Sequence, residues 1–215
     1  MIIGILNQKG GVGKTTLSTS IAHELARKSS SDDVLLVDAD PQQSALNWSE
    51  VREGKLPFAV IGMAKRSLHR DLPAIYKNYK YVVIDGPPRV TDLARSCIMA
   101  SDIVVIPCTP SPYDIWASEE TVQLVKEASV YKDNLKCYFT INRKIANTAI
   151  GRDVVEVLNS MDLNVIKSHV CQRVIFAEAA ASGKTVFDID SESKASEEVE
   201  NLVTEILEIG DTING

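Results

Sequence analysis

Ile2-Ile3-Gly4-Ile5-Leu6 runs into Asn7-Gln8-Lys9-Gly10-Gly11-Val12-Gly13-Lys14-Thr15-Thr16, after which apolar residues recur at Leu17, Ile21, Ala22 and Leu25. The first run reads as a buried strand and the last spacing as an amphipathic helix, so a glycine loop joins strand to helix. In that setting a Gly-Lys-Thr sequence binds phosphate rather than merely turning the chain. Glycines let backbone N–H groups approach phosphate oxygens without a side-chain clash, and the helix N-terminus adds a favourable dipole. Gly10, Gly11, Val12 and Gly13 are read as the cradle, with Lys14 reaching the outer phosphates. Thr15 is read as a hydroxyl ligand for magnesium, and Thr16 completes the loop.

Working outward, apolar runs at Val34 to Val37, Tyr81 to Ile84, Ile103 to Ile106 and Cys137 to Ile141 alternate with segments of helical length. Continuous rather than alternating hydrophobicity points to strands covered on both faces. The expected fold is α/β, a doubly wound and mostly parallel sheet flanked by helices, in a single domain over 1–215. Phe58 to Ile61 and Val165, Ile166 and Val170 mark two lesser strands. Val199, Leu202, Val203, Ile206 and Leu207 form a helical stripe, so a packing helix is expected over about 194–209, with Glu198, Glu200, Glu205 and Glu208 facing elsewhere. Pro107, Pro110 and Pro112 are read as an extended loop that ends the Ile103 to Ile106 strand.

Two strands end on acids. Val34 to Val37 leads into Asp38-Ala39-Asp40-Pro41-Gln42, and Tyr81 to Ile84 into Asp85-Gly86-Pro87-Pro88. Carboxylates at C-terminal strand ends beside a phosphate loop suit magnesium, its waters or an attacking water. Capping of the following helices is the alternative.

With 45% hydrophobic and 24% charged residues, the 215-residue chain is neither disordered nor fibrous. No stretch is apolar enough for a membrane span and the N-terminus lacks a basic leader, so a cytoplasmic protein is expected. Cys97, Cys108, Cys137 and Cys171 fit neither a metal clamp nor a disulfide framework and are read as reduced thiols. The net charge is -6, but nine acids and one base lie from Asp188 onward, leaving 22 bases and 20 acids before it. The acidic balance therefore does not exclude DNA.

The ordinary phosphate-loop pattern would carry glycine at position 8, where this chain has Gln8 followed by an additional Lys9. Lys9-Gly10-Gly11-Val12-Gly13-Lys14-Thr15-Thr16 resembles the deviant Walker A motif of the ParA/MinD ATPases. The Asp38 to Gln42 stretch is similar to the family's DxDPQ motif, and Asp85 to its Walker B acid. The resemblance is nearest to short ParF-like partition proteins, and with a strand starting at residue 2 no N-terminal helix-turn-helix is expected. It implies ATP, ADP and magnesium as ligands, with Lys9 serving the site of a partner copy in an ATP-dependent homodimer. Asp40 would orient the nucleophilic water, with Lys9, Lys14 and Asp40 as the catalytic set. Asp38 and Asp85 would join Thr15 at the metal. Asn142 and Arg143 resemble the adenine-side position, though a structural arginine is the alternative.

The Thr109 to Asp114 loop would sit at nucleotide and dimer interface. Partners implied are a centromere-binding ParB-like protein and non-specific nucleoid DNA, held by residues such as Lys144, Lys167, Arg173 and Lys184 or Lys65, Arg66 and Arg70. A MinD-like membrane ATPase should end in a basic helix, which this chain lacks. A phosphate-loop ligase, or an ATPase positioning another cargo such as a carboxysome, are the remaining alternatives.

Overall fold

The computed structural model describes residues 1–89, 92–145, 157–158 and 163–214. Seven strands are present: β1 (Ile2–Ile5), β2 (Val34–Asp38), β3 (Ala59–Gly62), β4 (Tyr81–Asp85), β5 (Ile103–Cys108), β6 (Lys136–Lys144) and β7 (Asn164–Cys171). They form one sheet in the order β3-β2-β4-β1-β5-β6-β7, and each pairing is parallel. The helices are α1 (Lys14–Lys28), α2 (Ser44–Glu50), α3 (Leu68–Tyr76), α4 (Asp92–Ala100), α5 (Pro112–Ser129), α6 (Val174–Ala181), α7 (Val186–Ile189) and α8 (Lys194–Asn214). The doubly wound reading holds, and both lesser strands form.

Alternate strand residues feed two cores, as a two-residue side-chain period requires. Leu35, Val37, Val82, Ile84, Val104 and Ile106 pack with Leu72 of α3, Ile98 of α4 and Val122 of α5. Ile3, Ile5, Leu36, Val83 and Val105 face Leu17 and Ile21 of α1 and Val199, Leu202 and Ile206 of α8. Each such fully buried aliphatic side chain contributes about 1.5–3 kcal/mol of transfer free energy.

Contrary to the expectation from sequence, Pro107 does not end the strand, because β5 continues through Pro107 and Cys108 beside Thr140 and Ile141 of β6. The Val105 carbonyl accepts Leu6 N–H and the Pro107 carbonyl accepts the Asn7 side-chain amide, so alternate groups of β5 face β1. At Pro107 β1 has already ended and its missing N–H interrupts no ladder. Pro112 is not loop either. It opens α5, where its fixed φ suits the first turn.

The acidic face of α8 also differs from expectation. Glu205 accepts Ser168 N–H at 3.1 Å and Glu198 accepts Cys171 N–H at 2.9 Å. Two glutamates thus satisfy donors along edge strand β7, which protects it from pairing with another chain. Glu198 also holds Arg173 at 2.6 Å. The helix runs to Asn214, beyond the expected end near 209. All four cysteines are free, and no helix among the described residues is long and apolar enough to cross a membrane.

Candidate functional site

β4 and β5 flank β1, so connections on either side of β1 wind onto opposite faces and leave a crevice at the C-terminal strand ends. The glycine loop leaves β1 into this crevice. Its start is anchored by Asn7, whose amide donates to Pro107 O at 2.8 Å and Ser118 Oγ at 3.1 Å. Asn7 Oδ1 in turn accepts Lys9 N–H at 2.9 Å. Gly13 takes φ +90° as the residue capping α1. A Cβ there would strike the Asn142 amide, which donates to Val12 O at 2.7 Å. Gly13→Ala is therefore expected to lower nucleotide affinity more than about tenfold, through left-handed strain and displacement of Asn142. Isothermal titration of the folded variant checks this, and unchanged affinity would remove the loop from the site.

Lys14 is almost fully buried, and its ammonium donates to Lys9 O at 3.0 Å within the loop's own curl. Burial lowers its pKa, while Asp85 and Asp40 oppose that shift. Asp85 accepts Thr15 Oγ1–H at 2.7 Å and Ser18 Oγ–H at 3.1 Å. Its burial pushes the carboxyl up to about 7, a shift the Thr15 and Ser18 hydrogen bonds reduce and the nearby Asp38 charge increases. Asp38 lies directly beside Asp85 in the β2–β4 register. It accepts Asp40 N–H at 3.0 Å and Leu46 N–H at 2.9 Å, and burial raises its pKa as well. Asp38 thus holds the first turn of α2 from a strand end.

Thr15, Asp38 and Asp85 are all hard oxygen donors, and two adjacent buried carboxyls disfavour ionisation without a cation. This donor set fits magnesium. Such an ion would neutralise phosphate charge and hold bound waters in order. Asp40 lies in the loop leading to α2, partly exposed, with its carboxylate accepting Gln42 N–H at 2.9 Å.

Lys9 reaches from the loop to α5. Its ammonium pairs with Asp114 in the first turn of α5, and Asp114 also accepts the Thr109 hydroxyl. Beside it, Gly10 and Gly11 are exposed and a Cβ on either would meet nothing within 4 Å.

On the far side of the loop lies an open cleft of about 730 Å³ between Gly13, Thr16 and Leu17, the β6 end at Asn142 and Arg143, and α6. Arg143 is exposed with φ +54°, within an irregularity of the β6–β7 pairing that borders the cleft. Val170, Val174, Phe176 and Ala180 supply an apolar wall suited to a flat ring.

Residues 3–186 match the CobQ/CobB/MinD/ParA nucleotide binding domain. The chain belongs to this family. Among curated relatives, it is 29% identical over 210 residues to the maintenance of carboxysome distribution protein A of Halothiobacillus neapolitanus, covering 95% of both chains. It is 28% identical to the sporulation initiation inhibitor protein Soj of Bacillus subtilis, covering 97% of this chain and 99% of Soj. Its fold resembles the septum site-determining protein MinD of Pyrococcus horikoshii, solved with Mg-ADP. There the TM-score is 0.77 at 19% identity, covering 99% of this chain and 98% of the other.

For a member of this nucleotide-binding family, the structure gathers Lys14, Thr15, Asp38, Asp40 and Asp85 around one loop, with Asn142 packed on its back. The two candidate basic clusters lie apart in the sheet. Lys65, Arg66 and Arg70 follow β3 at one edge of the sheet, whereas Lys144 and Lys167 belong to β6 and β7 at the other. Arg66 faces Asp92 at 3.4 Å, and Arg173 is committed to Glu198. Sequence reading missed Ser18 as a second hydroxyl on Asp85, Asp114 as the holder of Lys9, and the apolar wall of α6. A serine one turn after Thr15 was the available signal for the first. The other two depend on distant chain segments.

Proposed function

We propose that this chain is an ATP-dependent dimerising ATPase that holds DNA without sequence preference and, with a centromere-binding ParB-like protein, segregates a replicon. ATP and ADP with magnesium are its ligands, and it works in the cytoplasm on the nucleoid. One observation carries the reading. The half-exposed lysine preceding the glycines is held by Asp114 of α5, whereas the Lys14 ammonium donates back into the loop, to the Lys9 carbonyl. A cation so placed serves a facing copy better than its own phosphates, and would stabilise charge developing there as an arginine finger does. The Lys9–Asp114 pair must then open when two copies meet. Asp40 is assigned the attacking water, and Asn142 and Arg143 the base side of the nucleotide.

A second reading is favoured by the Halothiobacillus neapolitanus relative, whose name concerns carboxysome distribution. Here the same switch would position a protein compartment instead of a replicon.

The test is binding to random-sequence duplex DNA with no nucleotide, ADP or ATP and magnesium, over a salt series. Asp40→Ala and Lys9→Ala run in parallel, with mass measured by light scattering. ATP-dependent binding should fall with salt at a log-log slope of about -0.9 per neutralised phosphate. Asp40→Ala should remain an ATP dimer without turnover, and Lys9→Ala should lose dimerisation or hydrolysis. A trapped dimer that ignores DNA would overturn the partition reading; normal turnover in Asp40→Ala would remove its water-positioning role.

A further inference from the structure

The last turn of α2 is bound to a remote part of the chain by contacts the site above does not use. Arg52, just beyond α2, donates from Nη1 and Nη2 to both carboxylate oxygens of Asp188 at 3.0 and 2.7 Å. A third bond runs from Nη1 to Gly183 O at 3.1 Å, and Trp48 Nε1 donates to Lys184 O at 3.2 Å. Gly183 has φ +63°, and a Cβ there would lie 2.6 Å from the Trp48 carbonyl and 2.6 Å from Arg52 N. Two backbones touch at this point, so only glycine fits.

The same segment grips α1. Asp188 accepts Thr185 N–H at 2.9 Å, and Thr185 Oγ1 lies 2.5 Å from Nδ1 of His23, a residue of α1. Burial holds His23 down to about 4 despite the opposing Asp188 charge, so the ring is neutral near pH 7. The charged partners here are therefore Arg52 and Asp188. Immediately before Gly183 lies α6, whose Val174, Phe176, Ala177 and Ala180 line the 730 Å³ cleft. α2 itself is tied at its start to Asp38 through Leu46 N–H.

These links close a ring. It runs from Thr15 to Asp85, across the register to Asp38, along α2 to Arg52, through Asp188 and Thr185 to His23, and back down α1. We infer that Arg52 and Asp188 are positioning residues, a clamp by which the cleft-lining α6 and the loop helix α1 set the placement of Asp38 and Asp40. Neither residue lines the cleft. A bidentate guanidinium–carboxylate pair fixes orientation as well as distance, which a single point charge would not. Because α2 is only seven residues long, a shift at Arg52 is delivered to the Asp38–Asp40 loop with little internal slack.

The inference rests on the reading of Asp40 as the water-orienting acid, and the experiment separates the two. Steady-state ATP hydrolysis and ADP affinity are measured for the full chain and for Arg52→Ala, Arg52→Lys, Asp188→Asn, Gly183→Ala and the Arg52→Ala/Asp188→Asn double variant. Asp188→Asn keeps the side-chain volume and the acceptor for Thr185 N–H, and Gly183→Ala alters no charge. The single variants other than Arg52→Lys should lose about tenfold or more in kcat with ADP affinity kept within about twofold. Arg52→Lys should recover part of the loss, and the double variant should be no slower than the slower single. Wild-type kcat in Arg52→Ala and Gly183→Ala, or equal loss of kcat and ADP affinity, overturns the clamp.

If the wild-type chain itself turns over no ATP, the enzymatic reading fails and hydrogen exchange decides the clamp. Mg-ADP should then slow exchange of the Ala39 to Leu46 amides in the wild type and not in Arg52→Ala. Equal protection in both overturns it.

Discussion

Lys14→Ala is expected to weaken ATP binding by at least about thirtyfold while leaving the fold intact. The ammonium lies almost fully buried beneath the loop, donating to the Lys9 carbonyl, with Asp85 and Asp40 close enough to raise its pKa against burial. Phosphate oxygens entering the cradle would meet this charge where water is largely excluded. Removing one partner of such a buried, hydrogen-bonded charge pair costs about 2–5 kcal/mol, or roughly 30- to 4000-fold in affinity. Isothermal titration with ATP and magnesium reads the loss. The folded state should survive, since the variant also removes a desolvated cation; a melting curve within a few degrees of wild type confirms that affinity alone has changed. ATP affinity kept within threefold would place the phosphates elsewhere.

Much of this site was legible because its chemistry lies in contiguous residues. Lys9 to Thr16 and Asp38 to Asp40 sit on short stretches whose strand and helix neighbours betray themselves by hydrophobic pattern. The central strands were legible for a related reason. Val34 to Val37 and Ile103 to Ile106 are apolar at every position, as burial on both faces demands. Pro107 was misread because a proline's effect depends on whether its missing N–H faces a partner, and that is set by where β1 ends. Glu198 and Glu205 looked like solvated charge because helical spacing cannot show that an edge strand lies alongside. Asp114 was seen only as the end of a proline-rich loop, since the lysine it holds lies a hundred residues earlier. The apolar wall of α6 and the Arg52–Asp188 clamp share this cause: each is made by segments the topology joins and the sequence keeps apart.

Asp85→Asn is expected to separate folding from ligand chemistry by moving them in opposite directions. In the ligand-free protein, burial pushes the Asp85 carboxyl from an ordinary 3.8 up to about 7, a shift only partly offset by the Thr15 and Ser18 hydroxyls. Between those two values the unfolded chain has lost the proton and the folded chain keeps it. The folded state binds more protons there, so stability falls as pH rises from about 4 to about 7 and stays lower above. Asparagine removes that dependence. Its melting temperature should exceed wild type at pH 8 by more than about 3 °C, and the difference should shrink toward pH 4.

Nucleotide binding should respond the other way. Magnesium would return the cost of the buried anion by pairing with it, so the wild-type protein should bind ATP more tightly with magnesium than with chelator. A neutral amide offers no such compensation, and Asp85→Asn should lose most of the metal-dependent gain. Thermal melts from pH 4 to 8 and paired titrations with magnesium or chelator measure both. A variant no more stable than wild type at pH 8 would mean that Asp85 is already ionised and compensated in the free protein. A variant that keeps the full magnesium dependence would move the metal to Asp38 and Thr15 alone.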